Sequence, residues 1–221
     1  MTSAKYPRSF HLPWSPGGTR DDKRLADVSA LTGVEIVVTE KIDGSNLTYT
    51  RESVFARTHS APPNHPSFNL AKATHARIRA AVPEGLSVFC EYCFAVHSIE
   101  YGALPDYSIV IGVRDDDADL WLNWTAVEQT AAALGLPAAP VLFRGVVESA
   151  TTLERLTIQL ASGSSVFGGA REGLVARAAG EFHSAAFHCM VGKFVRAGHV
   201  QTDEHWTVQT IRQQRLAPAQ V

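Results

Sequence analysis

Apolar and polar positions along this chain fall into short blocks that switch between a period of two and a helical period. Val34-Glu35-Ile36-Val37-Val38-Thr39 is β-branched and reads as a strand. Leu47 to Thr50 and Val54 to Arg57 form a hairpin around Arg51-Glu52-Ser53. Leu86 to Glu91, Tyr107 to Val113, Pro140 to Val147, Leu174 to Ala178 and Cys189 to Arg196 are further strand-length runs. Helical spacing covers Pro66 to Ala81. It puts Leu70, Thr74, Ile78 and Ala81 on one face and leaves Lys72, His75, Arg77 and Arg79 mostly off it. Asn123 to Leu134, ended by Gly135 and Pro137, and Thr151 to Leu160 are the other helices. Asp115-Asp116-Asp117 reads as a solvated turn and Ser162 to Gly169 as a Gly/Ser loop. The first thirty or so residues predict an extended arm, with turns at Pro16-Gly17-Gly18 and a short helix from Asp22 to Leu31. Strands and helices mix without strict βαβ alternation, so the fold class is α+β with largely antiparallel sheets.

The length of 221 residues suits one large domain. A 45% hydrophobic and 19% charged composition excludes a disordered or fibrous chain. The net charge of −2 excludes a uniformly basic nucleic-acid binder, so any contact with RNA or DNA needs a local patch. No apolar run reaches the roughly 18 residues of a membrane span, and the N-terminal sequence lacks the apolar core of a secretory signal. Three cysteines, Cys90, Cys93 and Cys189, do not make a disulfide framework and point to a reducing cytoplasm. Cys90 and Cys93 form a C-x-x-C that a structural zinc would have to complete with His188 and Cys189; as a plain alternative they are small hydrophobes near a strand end.

Lys41 follows an apolar strand and precedes Asp43-Gly44. A lysine becomes a nucleophile only when burial or a neighbouring cation lowers its pKa from about 10.4. Alone it would be an ordinary surface charge. It is accompanied by Arg57 on the hairpin, Glu91 at the end of an apolar strand, Glu172-Gly173 opening another, and Lys193 in a late strand. Charges at strand ends are costly to bury unless they converge on a partner. Cations, carboxylates and a reactive lysine together suit a nucleotide with its phosphates and a divalent metal.

These residues resemble the motifs of the covalent nucleotidyltransferase superfamily, and most closely the RNA ligase 2-like family. Lys41-Ile42-Asp43-Gly44-Ser45-Asn46 is similar to motif I, K-x-D-G-x-N, whose asparagine is typical of RNA ligases. Ala56-Arg57-Thr58-His59-Ser60 stands where the next motif's arginine belongs. Phe89-Cys90-Glu91-Tyr92 resembles motif III, Glu172-Gly173-Leu174-Val175-Ala176-Arg177 motif IV, and Val191-Gly192-Lys193-Phe194-Val195-Arg196 motif V. His11 to Gly17, His97 to Tyr101 with Leu104 to Tyr107, and His199 to Trp206 extend the likeness to a bacterial branch of RNA ligase-like proteins. Two positions depart from the pattern. Val191 replaces a lysine of motif V, and Ile111 stands where a ring usually stacks on adenine.

The resemblance implies a nucleotidyltransferase domain of two mainly antiparallel sheets flanked by helices, an ATP-grasp-like ligase core. It would span residues 33–206, with residues 1–32 as an arm of the same domain and 207–221 as a short tail. No separate C-terminal OB or helical domain is expected. It implies an ATP-dependent RNA ligase in which Lys41 forms a lysyl-AMP, passes AMP to a 5′-phosphate end and seals that end to a 3′-hydroxyl. Lys193, Arg57 and Arg196 would contact phosphates and Glu172 would hold Mg²⁺ or Mn²⁺. Glu91 would bind the ribose, and Glu40 would accept from the adenine amino group. Asn46 would orient phosphates and the strand end, with Ile111 against the base. Asp43 and Gly44 count as nucleotide-binding or as shaping the turn. Arg177 reads as a sheet-face salt-bridge partner, and His59, His97, His199 and His205 as structural or RNA-facing. The expected partners are RNA ends or nicked duplex RNA and an end-processing protein, with no membrane and a monomeric state. Alternatives are an enzyme for DNA nicks, a GTP-using capping-type enzyme, and a non-catalytic nucleotide- or RNA-binding module.

Overall fold

A computed structural model describes residues 5–18, 22–58, 61–198 and 211–218. Eleven strands among these residues build two sheets. They are β1 (Phe10–His11), β2 (Glu35–Lys41), β3 (Ser45–Tyr49), β4 (Val54–Ala56), β5 (Leu86–Tyr92), β6 (Ser108–Asp115), β7 (Leu120–Trp121), β8 (Val141–Val146), β9 (Gly173–Ala178), β10 (Phe182–His183) and β11 (Val191–Val195). The helices are α1 (Asn69–Ile78), α2 (Trp124–Ala133), α3 (Ala150–Ala161) and the single turn α4 (Phe187–Met190). One sheet runs β1-β11-β9-β2-β8 and the other β10-β7-β6-β5-β3-β4. Every ladder is antiparallel except the short β1–β11 pair. The expected α+β class with two mainly antiparallel sheets is therefore what the chain adopts. No helix among the described residues is long and apolar enough to cross a membrane.

Each sheet buries its own core. Val88, Val110, Leu47 and Tyr49 of one sheet pack with Ile78 of α1 and Trp124, Val127 and Ala131 of α2. Ile36, Val38, Leu174 and Phe194 of the other pack with Leu153 of α3 and with Leu12 and Leu25 of the arm. A third cluster, of Phe89, Trp121, Phe182, Phe187 and Val191, joins residues of both sheets. Helices α2 and α3 start where the sequence supplies caps. Asn123 accepts from the Ala126 N–H at 2.9 Å and Ser149 from the Thr152 N–H at 3.2 Å. Gly173 is needed where β9 meets β11, because a Cβ there would lie 1.9 Å from the Phe194 carbonyl.

Three sequence expectations are corrected. The helix expected from Asp22 to Leu31 is only a 3-10 turn at Ser29–Leu31. The buried face of α1 is Ala71, His75 and Ile78, and Leu70 is exposed at 46%. His75 turns that face inward, since its Nε2 reaches the Thr50 carbonyl at 2.9 Å and its ring stacks on Tyr49. Cys189 lies in α4 rather than in the last strand. Within residues 211–218, Gln214 is 2% exposed and its side chain bonds the Tyr101 N–H and the Ile99 carbonyl. Cys90 and Cys93 are buried, Cys189 is exposed, and the His188 ring stacks on Phe10. Arg20, His59, Ser60 and the His199–Trp206 segment lie outside the described residues.

Candidate active site

Register brings the charges together. Lys41 ends β2 and pairs with Gly173 on β9, so Glu172 stands next to the lysine. The Lys41 Nζ lies 2.6 Å from Glu172 Oε2. Glu91, on β5 of the other sheet, pairs with Asn46 of β3. Lys193, on β11, pairs with Val175 of β9 on one side and with His11 of β1 on the other. Its Nζ is 3.8 Å from Asp22 Oδ1, and the same carboxylate oxygen accepts from Arg8 at 2.7 Å.

The site's electrostatics follow from burial and from these pairs. Burial alone would push the Lys41 amine down, but Glu172 and then Glu91 outweigh it and hold its pKa above the usual lysine range. Lys41 is thus an ammonium paired with Glu172. Burial raises the Glu91 carboxyl to about 7, against the pull of Lys41. Burial lowers the Lys193 ammonium, opposed by Asp22 and assisted by Lys41.

Two spaces that share lining residues flank Lys41. An inner cavity of about 90 Å³ lies between the sheets, walled by Ile111, Val175, Trp121 and Tyr6, with Glu40, Glu91, Arg177 and Lys193 also on its lining. An outer cleft of about 560 Å³ is bordered by Gly44, Ser45, Asn46, Arg57, His97 and Lys193. A residue on the lining of each carries a buried polar atom without a partner. Glu40, 1% exposed, uses Oε2 for the Val166 N–H at 2.9 Å and for Arg171 at 3.4 Å, while its buried Oε1 has no partner. Asn46 Oδ1 is likewise buried and unpartnered. Buried polar atoms are normally bonded, so each such atom beside a cavity is a place for a ligand donor.

Most of the residues expected at the site line these spaces: Lys41, Glu91 and Lys193 both of them, Glu40 and Ile111 the inner, Gly44, Asn46 and Arg57 the outer. Two do not. Asp43 turns its Oδ2 to the N–H groups of Ser98 and Ile99, each at 2.7 Å, and so shapes the loop behind Lys41. Its backbone N–H donates to the Tyr101 hydroxyl at 2.8 Å. Arg196 is exposed and lines neither space, and it touches the site through its backbone N–H on the Glu172 carbonyl. Gly44 has a steric reason to be glycine, since a Cβ would lie 2.7 Å from the Tyr92 carbonyl. Among the described residues Arg177 has no ion-pair partner. Its guanidinium donates to the carbonyls of Ala178 and Leu122 and lies over the rings of Phe182 and Trp124, at 5.2 and 5.5 Å. Burial lowers its pKa to about 10. Sequence reasoning missed Tyr6 and left out Arg177 as a lining residue; the E-G-x-V-x-R pattern carried the signal for Arg177, and nothing in the arm pointed to Tyr6.

A sequence profile of the RNA ligase family matches residues 34–195. No curated protein matches the sequence. Among solved structures, the chain is similar to an RNA ligase of Naegleria gruberi. In a ligand-free mutant form the TM-score is 0.55 at 16% identity, over 88% of this chain and 58% of that one. In the form with pyrophosphate the TM-score is 0.54 at 16% identity, over 81% and 54%. In a mutant form with ATP and Mn it is 0.54 at 16% identity, over 81% and 56%. The chain thus spans little more than half the length of these structures.

Proposed function

The chain belongs to the RNA ligase family, and on that premise we propose that it is an ATP-dependent RNA ligase whose nucleophile is Lys41. The observation that carries this reading is the Lys41–Glu172 contact of 2.6 Å, at the junction of a small cavity and an open cleft that Glu91 and Lys193 also line. ATP fits the donors present. Its base would enter the inner cavity, where the free Glu40 Oε1 accepts from the adenine amino group. Glu91 would take a ribose hydroxyl. The phosphates would lie in the outer cleft, beside Lys193, Arg57 and Asn46.

Lys41 would attack the α-phosphorus. A P–N bond forms and the P–O bond to pyrophosphate breaks; the ammonium gives up one proton before the attack and the new P–N nitrogen a second after it, both passing to the departing pyrophosphate or to water in the open cleft. AMP would then pass to an RNA 5′-phosphate, and a 3′-hydroxyl would displace it and seal the strand. Lys193 and Arg57 stabilise the charge that develops on the phosphoryl oxygens. No group of three or more metal-type side chains converges among the described residues. Glu172 fits Mg²⁺ or Mn²⁺ nonetheless, because a hydrated cation needs only one or two carboxylates beside phosphate. Such a cation would supply positive charge next to the amine and the phosphates. Glu172, so engaged, would no longer stabilise the ammonium of Lys41.

RNA ends or nicked duplex RNA, supplied by an end-processing partner, are the proposed substrate, with repair as the role. The test is labelling with α-labelled ATP or GTP and Mg²⁺, followed by a panel of RNA and DNA nicks. The reading expects an adduct with ATP, none in Lys41→Ala, and sealing of RNA. Preference for GTP or for DNA nicks would favour the capping-type or DNA-acting alternative. ATP binding with no adduct at any metal concentration would favour the non-catalytic module.

A further inference from the structure

The ring of Tyr6 stands where the inner cavity meets the outer cleft. Among the described aromatic residues it is the one that borders both. It belongs to the arm before β1, outside the segment that matches the family profile. The arm is held in place by two contacts. Phe10 and His11 pair with Gly192 and Lys193, and Arg8 donates to Asp22 at 2.7 Å. The Tyr6 ring lies 5.3 Å from Phe89, 5.4 Å from Trp121 and 5.5 Å from Phe187, the last two edge-on. Gly112 lies beside this cluster: a Cβ there would stand 3.2 Å from the Trp121 ring, a tight contact, and 3.9 Å from the Tyr6 ring, an ordinary one. Strand β6 therefore turns Ile111 and a glycine toward this region, and the ring comes from another part of the chain.

The inner cavity has the volume of one flat heterocycle: about 90 Å³ is room for roughly six water-sized bodies. Its aliphatic walls, Ile111 and Val175, supply contact area. Its buried free acceptor, Glu40 Oε1, calls for an N–H donor. A base lodged there, with its sugar and phosphates in the outer cleft, must pass beside Tyr6. A base stacked on an aromatic side chain gains binding through its π-face whatever its edge pattern.

We infer that Tyr6 is the aromatic wall of the base pocket, a nucleotide-binding residue contributed by the N-terminal arm. This rests on the reading of the two spaces as the ATP site. The arm then has two tasks at once, because the β1 pairing that positions Tyr6 also flanks Lys193.

The test uses the full chain and its Tyr6→Phe, Tyr6→Leu and Tyr6→Ala variants, each checked for an unchanged fold by its thermal melt. Calorimetry measures the Kd of a non-cleavable α,β-methylene ATP analogue and, separately, of inorganic tripolyphosphate, which has no base. Tyr6→Phe is expected to stay within about twofold of wild type, as the π-face is kept. Tyr6→Leu and Tyr6→Ala are expected to weaken the analogue by about 5- to 150-fold and to leave tripolyphosphate unchanged. Equal or tighter binding of the analogue in Tyr6→Ala would overturn the proposal and mark the ring as a filler or plug. An equal loss for both ligands would overturn it too, since the arm would then act on the phosphates alone. Failure of the ligase reading is seen elsewhere, as absence of a covalent adduct in the wild type while the calorimetric pattern holds.

Discussion

At the scale of single residues, the resting lysine and the reactive lysine are different chemical species. With Glu172 2.6 Å away and Glu91 next in effect, Lys41 is held as an ammonium, and the proposed attack on ATP needs that hold relaxed. Glu40 divides its work by atom. One oxygen is bound to Val166 and Arg171, and the other is buried without a partner, in a residue that lines the inner cavity. Glu40→Gln is expected to raise KM for ATP by about tenfold with little change in kcat, because a hydrogen bond to a charged acceptor contributes about 1.5–3 kcal/mol. Steady-state adduct formation across ATP concentrations checks this. A second residue gives a pH signature. His11 is buried beside Lys193, and burial first, then Lys193, lowers its pKa from 6.5 to about 4 against the pull of Asp22. The unfolded chain then takes up the proton more readily than the folded one. The stability due to His11 is complete above pH 6.5 and is lost as pH falls toward 4. Urea unfolding of wild type and His11→Gln between pH 7 and pH 4.5 is expected to show a steeper loss in the wild type.

At the scale of elements, helix α1 tests how the chain chooses its buried face. Apolar spacing favours Leu70, yet Ala71, His75 and Ile78 face inward. Leu70→Glu is expected to shift stability by less than about 0.5 kcal/mol. Ile78→Ala is expected to cost about 2–5 kcal/mol. Urea midpoints of the two variants decide between the two faces. The error has a physical cause. Ala71 is small and His75 is polar by type, and what turns them inward is a hydrogen bond to Thr50 and a ring under Tyr49, both from a distant hairpin. The long strands β2, β5, β6 and β9 were legible because β-branched and apolar runs encode their burial directly. Strands β1, β7 and β10 are two residues each and exist only through their partners, so no local pattern announces them. The same division holds at the site. Lys41, Glu91, Glu172 and Lys193 could be read from motif order. The inward turn of Asp43, the outward side chain of Arg196 and the arrival of Tyr6 depend on contacts between segments far apart in sequence.

At the scale of the whole molecule, the site is a meeting of two sheets. Lys41, Glu172 and Lys193 come from one, Glu91 and Asn46 from the other, and a cluster of aromatic and aliphatic side chains joins the sheets beside them. The segment 211–218 braces the loop behind the lysine. Gln214 bonds the backbone of Tyr101 and Ile99, and the Tyr101 hydroxyl accepts from the Asp43 N–H. Gln214→Ala is expected to destabilise the fold by about 1–3 kcal/mol, since it strands two buried backbone groups, and a thermal melt checks it. The central claim is that this convergence makes Lys41 a nucleophile toward ATP. Intact-protein mass spectrometry after incubation with ATP and Mg²⁺ tests it most directly. The account predicts a gain of one adenylyl group in the wild type and none in Lys41→Ala. An unmodified wild type that binds ATP, or the same gain in Lys41→Ala, would contradict it.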